Sequence, residues 1–144
     1  EIISAYWAEI GVTAKVTEVD EGSFYDMRAA GEIEAYTSNW SADFNDPDNF
    51  VYSFFGNEDN IARRGFGYSN SEAIARVAAA RAIVDEDERI AEYQDLEKLI
   101  IQEDAAWVPL FSKEHVFVVN PRVSGFTVSW NGWSGNYYRN VSVS

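Results

Sequence analysis

The chain has 144 residues, 47% of them hydrophobic and 15% aromatic, with a formal net charge of −13. That length suits one ordinary domain with ample material for a core, and the acidity argues against nucleic-acid partners and anionic membrane surfaces, which need clustered Lys and Arg. No cysteine is present, which excludes a disulfide scaffold, a thiolate metal site and a cysteine nucleophile.

In chain order, Ile2, Ile3, Tyr6, Trp7 and Ile10 recur at helical spacing until Gly11 stops the run. Residues 12–19 alternate apolar and polar, with Val12, Ala14 and Val16 on one face, and predict a strand. Residues 21–30 predict a short helix ended by Gly31, and 33–40 a second strand. Helix, strand, helix, strand suggests a βαβ unit with a parallel sheet. Asp46-Pro47 predicts a capped helix start, with the helix at 48–55 closed by Gly56. Residues 57–70, with Gly65 and Gly67, read as an exposed loop. Ser69-x-x-Glu72 and Asp85-x-x-Glu88 fit capping boxes. The first box starts a helix to about Val84, buried on Ile74, Val77 and Ala78. The second starts one to about Glu103, with Ile90, Tyr93, Glu97 and Ile100 in a stripe and Leu96 beside it. The two are expected to form an antiparallel pair. From Trp107 onward, 107–111, 116–119, 126–130 and 137–143 read as strand material between Gly, Pro and Asn turns.

Several segments together resemble the family 5 extracytoplasmic solute-binding proteins of ATP-driven importers, the dipeptide and oligopeptide carriers. The clearest is Trp40-Ser-Ala-Asp43-Phe-Asn-Asp46-Pro47-Asp48-Asn49-Phe50. Glu9-Ile-Gly-Val12, Ala30-Gly-Glu32, Gly67-Tyr-Ser-Asn70, the stretch from Ile101 to Phe111, Asn120-Pro-Arg-Val-Ser-Gly-Phe126 and Tyr138-Arg-Asn-Val141 follow in the family's order. The resemblance covers the chain but only about the last third of such a protein. It implies an α/β fold, the C-terminal lobe of a two-lobed periplasmic-binding-protein-like architecture. Residues 1–112 would belong to that second lobe, and the strands of 113–144 would return to the first. The sole Met is Met27, so residue 1 is not a translational start and sequence is expected upstream.

The resemblance also implies a function. The expected role is to bind peptides between two lobes and deliver them to a membrane permease, in the periplasm or elsewhere outside the cytoplasm, with lipid anchoring through the N-terminal part. The expected partners are a peptide, that permease and the rest of the same protein. No enzymatic activity, cofactor, metal or nucleic acid is expected. Asp43 matches the family aspartate that holds a peptide's ammonium, and Trp40 the apolar wall. Asn39 and Ala42, beside them, complete the expected ligand-binding set. A desolvated ammonium needs a fixed anion in a closed cleft, and Asp43 follows a predicted strand, where ligands of α/β sheets sit.

Other chemistries fit the residues less well. A calcium loop begun at Asp43 fails, with Pro47 at its fifth position and Phe54 at its twelfth, so Asp46 and Asp48 read as caps. His115, the one histidine, stands without a carboxylate or Cys partner in view and reads as structural. No Walker loop, G-x-S-x-G elbow or H-E-x-x-H is present. Alternatives are a related carrier of sugars, opines or nickel complexes, an acidic glycoside hydrolase using Asp43 and Asp46, and a receptor domain without a small ligand. Trp130, Trp133, Tyr137 and Tyr138 are expected to face the other lobe rather than line a cleft.

Overall fold

The structure, a computed structural model, describes residues 1–132 and 137–144. Helices build it. They are α1 (Ile2–Glu9), α2 (Glu21–Ala29), α3 (Asp48–Phe55), α4 (Glu58–Arg64), α5 (Ser71–Ala80) and α6 (Glu86–Glu97), and α6 runs on into a π-helical turn, Lys98–Glu103. The only sheet among the described residues is one antiparallel ribbon, β1 (Val123–Ser124) with β2 (Ser142–Val143), extended by a single bridge between Thr127 and Tyr137.

Local chemistry sets most helix ends. Asp20, Asn57, Asn70 and Asp85 each accept a backbone N–H three residues on, from Ser23, Asn60, Ala73 and Glu88, satisfying a donor that the first turn leaves free. Asn70 thus caps α5, one residue after the expected Ser69, and α5 stops at Ala80. Gly65 ends α4 in the left-handed conformation (φ 65°). A Cβ there would lie 2.1 Å from the Arg28 carbonyl oxygen, so glycine is required twice over, by the turn and by the close approach of α2.

The core is one cluster: Phe54, Phe55, Ala73, Val77, Ala80, Tyr93, Leu96 and Ile100. On α5 the buried face is Ala73, Val77 and Ala80, while Ala78 is exposed and Ile74 only half-buried. On α6, Leu96 is fully buried and Ile90 exposed, so the apolar stripe turns by about one residue from its expected line. Arg76 of α5 reaches across to Glu92 (2.9 Å) and Asp95 (2.6 Å) of α6, fastening the expected helix pair. After the π-turn the chain doubles back, and Trp107 enters the core edge-on to Phe54 and Phe55, with centroids 4.7 and 4.9 Å away.

Three expectations need correction. Residues 57–70 are not a loop throughout: α4 occupies half of them and buries Asn60 and Ile61. The Asn57 cap, the acidic first turn of Glu58 and Asp59, and Arg63-Arg64-Gly65 at the end form a complete helix signature in a short span. The predicted strands 12–19, 33–40, 107–111 and 116–119 are not strands, because none pairs in a ladder with a neighbour among the described residues. An extended segment needs a pairing partner to be a strand. The α/β expectation is therefore not met within the chain, which is mainly helical with little sheet. The unpaired segments leave apolar side chains in water: Phe111 is 85% exposed and Val118 98%.

Leu96 lies in this core with no exposure to solvent, so truncation leaves a hole among packed helices. Leu96→Ala is expected to cost about 2–5 kcal/mol, read as a lower urea midpoint at unchanged slope.

Candidate functional site

The polar stretch between Trp40 and α3 is ordered by one side chain that the sequence reading did not single out. Asn49, in the first turn of α3 and buried, offers its Oδ1 to two donors at once. The Trp40 indole N–H donates to it at 2.8 Å and the Asp43 backbone N–H at 3.0 Å. One amide oxygen thus fixes both the ring and the loop that follows it. The signal for Asn49 was available: a polar residue placed where an amphipathic helix turns inward has to find a partner.

The next carboxylates clamp the loop to α6. Asp46 accepts the Asp48 backbone N–H at 2.8 Å, the expected capping contact. Both its oxygens also take the Arg89 guanidinium in a two-pronged pair. Hydrogen bonding to Arg89 holds the Asp46 carboxyl below its usual range, against the opposing effect of burial. Asp48 is buried and does more than cap. Its Oδ1 accepts the Tyr93 hydroxyl at 3.0 Å and faces Arg81 Nε at 3.2 Å. Burial, with Asp48 second, pushes the Tyr93 hydroxyl up to about 12. Arg81 in turn lies 4.0 Å over the Tyr52 ring.

Against this rigid base Asp43 stands exposed. No hydrogen bond or ion pair engages its carboxylate among the described residues, while its own N–H is pinned. The structure therefore brings Trp40 and Asp43 together. Ala42 is buried beneath the loop, and its carbonyl lies 3.4 Å from Asn131 Nδ2, so the end of the chain touches this turn. Asn39 is exposed and stays outside the network. An open groove of about 620 Å³ runs alongside, between Phe44, Phe50, Arg89, Ile90 and Trp130. Trp40 itself is half-buried, edge-on to Phe54 at 5.3 Å, with the Arg64 guanidinium 5.0 Å over its ring.

The remaining sequence candidates are quieter. Among the described residues no group of His, Cys, Asp and Glu is placed to hold a metal ion. The His115 ring lies against Gly132, where a Cβ would come within 2.4 Å of His115 Cδ2. Of the terminal aromatics, Trp130, Tyr137 and Tyr138 are exposed, and Trp133 lies outside the described residues.

Asp43 thus keeps a bare carboxylate on a backbone held by Asn49, one residue before the groove that begins at Phe44. The fold superposes on the solved structure of HbpA2 from Haemophilus parasuis with a TM-score of 0.76 at 28% identity, over 99% of this chain and 28% of that one. Residues 1–61 match the model of the bacterial extracellular solute-binding proteins, family 5 Middle. Relatives extend the match along the chain. Heme-binding protein A of Haemophilus influenzae is 30% identical over 141 residues, 95% of this chain and 25% of that protein. The Probable D,D-dipeptide-binding periplasmic protein DdpA of Escherichia coli is 31% identical over 119 residues, 82% of this chain and 23% of that one. The Dipeptide-binding protein of Pseudomonas aeruginosa is 28% identical over 136 residues, 90% of this chain and 24% of that one. The chain is a family 5 extracytoplasmic solute-binding protein sequence, and it spans about a quarter of the length of these curated relatives.

Two outcomes test this geometry. Asn49→Ala leaves the Trp40 indole N–H and the Asp43 N–H without an acceptor, and is expected to cost about 1–3 kcal/mol in urea unfolding. Asp46 has its pKa lowered on folding, so its stabilisation is present above the unfolded value of about 3.9 and is lost as pH falls through the lower folded value. Arg89→Met is therefore expected to lower the melting temperature at pH 7, by an amount that shrinks below about pH 4.

Proposed function

We propose that this chain supplies one wall of the binding site of an extracytoplasmic peptide carrier, with Asp43 as the anchor for the ligand's N-terminal ammonium. The observation that carries the reading is the Asp43 carboxylate, exposed and unengaged, on a backbone fixed by buried Asn49. A pre-positioned anion loses little entropy on binding, and when a second lobe closes over it the ion pair strengthens as water leaves. Trp40, and beside it Asn39 and Ala42, form the wall next to that anchor. Peptide-binding names recur among the relatives, including the Periplasmic oligopeptide-binding protein OppA of Escherichia coli at 29% identity over 142 residues.

The same reading extends to the whole protein. Residues 1–112 form part of the second lobe, and 113–144 return to the first. The unpaired extended segments find their strand partners there, with the exposed Trp130, Tyr137 and Tyr138 against it. The protein works outside the cytoplasm, anchored by lipid at its N-terminal end, and hands its ligand to the permease of an ATP-driven importer. It binds and does not catalyse, consistent with relatives that are named as binding proteins.

The test is calorimetric titration of the full-length protein with Ala-Ala, a longer peptide and their N-acetylated forms. Acetylation removes the ammonium and is expected to weaken binding about tenfold or more, and Asp43→Ala to do the same with little change in melting temperature. Equal affinity for free and acetylated peptides would sink the anchor. A second reading, a carrier of a planar tetrapyrrole, is favoured by the relative named Heme-binding protein A. It predicts that heme, and neither peptide, binds with a saturable change in its absorption band.

A further inference from the structure

The peptide bond between Ala42 and Asp43 is held at both ends. A trans peptide is planar, with its C=O and N–H pointing to opposite sides. On one side the Asp43 N–H donates to Asn49 Oδ1 at 3.0 Å. On the other, Asn131 Nδ2 donates to the Ala42 carbonyl at 3.4 Å, across 89 residues of chain. Two asparagines thus grip one peptide plane. Turning that plane changes the backbone dihedrals on either side of it and swings the Asp43 side chain. Asn49 alone would leave the plane free to tilt about its single hydrogen bond.

Asn131 is prepared for this contact. Its Oδ1 accepts the Ser129 hydroxyl at 2.7 Å, which sets the amide with its donor end toward Ala42. Ser129 is buried, and the Gly132 N–H closes the turn onto the Ser129 carbonyl at 3.0 Å. Gly132 is left-handed (φ 73°) and lies buried against the His115 ring. A side chain is excluded there both by conformation and by space. Trp130, between these residues, lines the groove together with Phe44. The turn 129–132 therefore meets the loop at Ala42 and borders the same groove as Phe44, the residues on either side of Asp43.

We propose that Asn131 is a positioning residue for Asp43, holding the Ala42–Asp43 peptide plane so that the carboxylate meets the ligand's ammonium. The ammonium rests on the proposed function, whereas the grip on the plane does not. Asn131 acts through Asp43 and not by touching the ligand. Its loss therefore lowers selectivity for an ammonium-bearing ligand, which a contact that only supports the fold does not control.

The experiment compares the full-length protein with its Asn131→Ala variant, each with and without Asp43→Ala. Calorimetry gives the affinities for Ala-Ala and N-acetyl-Ala-Ala, and amide hydrogen exchange gives the protection of the Asp43 N–H. Asn131→Ala is expected to cut the preference for the free peptide about threefold to tenfold, and to cost no further affinity once Asp43 is replaced. It is also expected to speed exchange at the Asp43 N–H, while the Leu96 N–H in α6 keeps its rate. A preference that survives Asn131→Ala overturns the positioning role. So does an equal loss of affinity in the Asp43→Ala background, or unchanged exchange at Asp43. A parent protein that does not distinguish the two peptides, or binds neither, refutes the ammonium anchor, and the exchange rates then decide the grip by themselves. Should Asn131→Ala fail to fold, Asn131→Leu keeps the volume while withdrawing the donor, and the same readouts apply.

Discussion

A buried carboxylate governs this molecule. Asp48 opens α3 inside the protein, and a charge there is tolerated only because the Tyr93 hydroxyl and the Arg81 guanidinium meet it. Those partners lie on α6 and just after α5, so satisfying one side chain fixes α3 against the helical pair. Asp46 repeats the device two residues earlier with Arg89. Between them the two carboxylates lock the turn before α3, and the aromatic core of Phe54, Phe55 and Trp107 assembles at the last turn of the same helix.

The display of Asp43 follows from that lock. Asn49 sits one residue beyond Asp48, and its position is inherited from the clamp. Its single oxygen then sets both the Trp40 ring and the Asp43 backbone. Asp46, Asp48 and Asn49 thus hold the loop from behind, and Asp43 alone of the acidic residues in Asp43–Asp48 is left to the solvent without a partner among the described residues.

Helices were legible because their signals are local. Asp20, Asn70 and Asp85 act within one turn, and the spacing of Val77, Tyr93 and Ile100 repeats every turn or two. The helix at Glu58–Arg64 escaped notice because two glycines and many charges within 57–70 suggested a loop, although the Asn57 cap and the Gly65 ending were both present. Strands were less legible for a different reason. Alternation at 12–19 and the apolar runs near 108 and 118 describe segments that suit a sheet, but hydrogen bonds to a neighbour make the strand. Among the described residues only Val123–Ser124 with Ser142–Val143, and the single Thr127–Tyr137 bridge, find one.

By itself, the sequence determined the helices α2, α3, α5 and α6, the cap of α6, the turn at Asp46-Pro47 and, through several short segments in order, the family. Each of these is carried by a few adjacent residues and needs no knowledge of what lies across the fold. Only the tertiary structure decided that Asn49 serves Trp40 and Asp43 together, and that Arg89 answers Asp46 and Tyr93 answers Asp48. These pairs lie up to 45 residues apart in the chain. A side chain's partner at such a distance is set by how the helices pack, which no local pattern encodes.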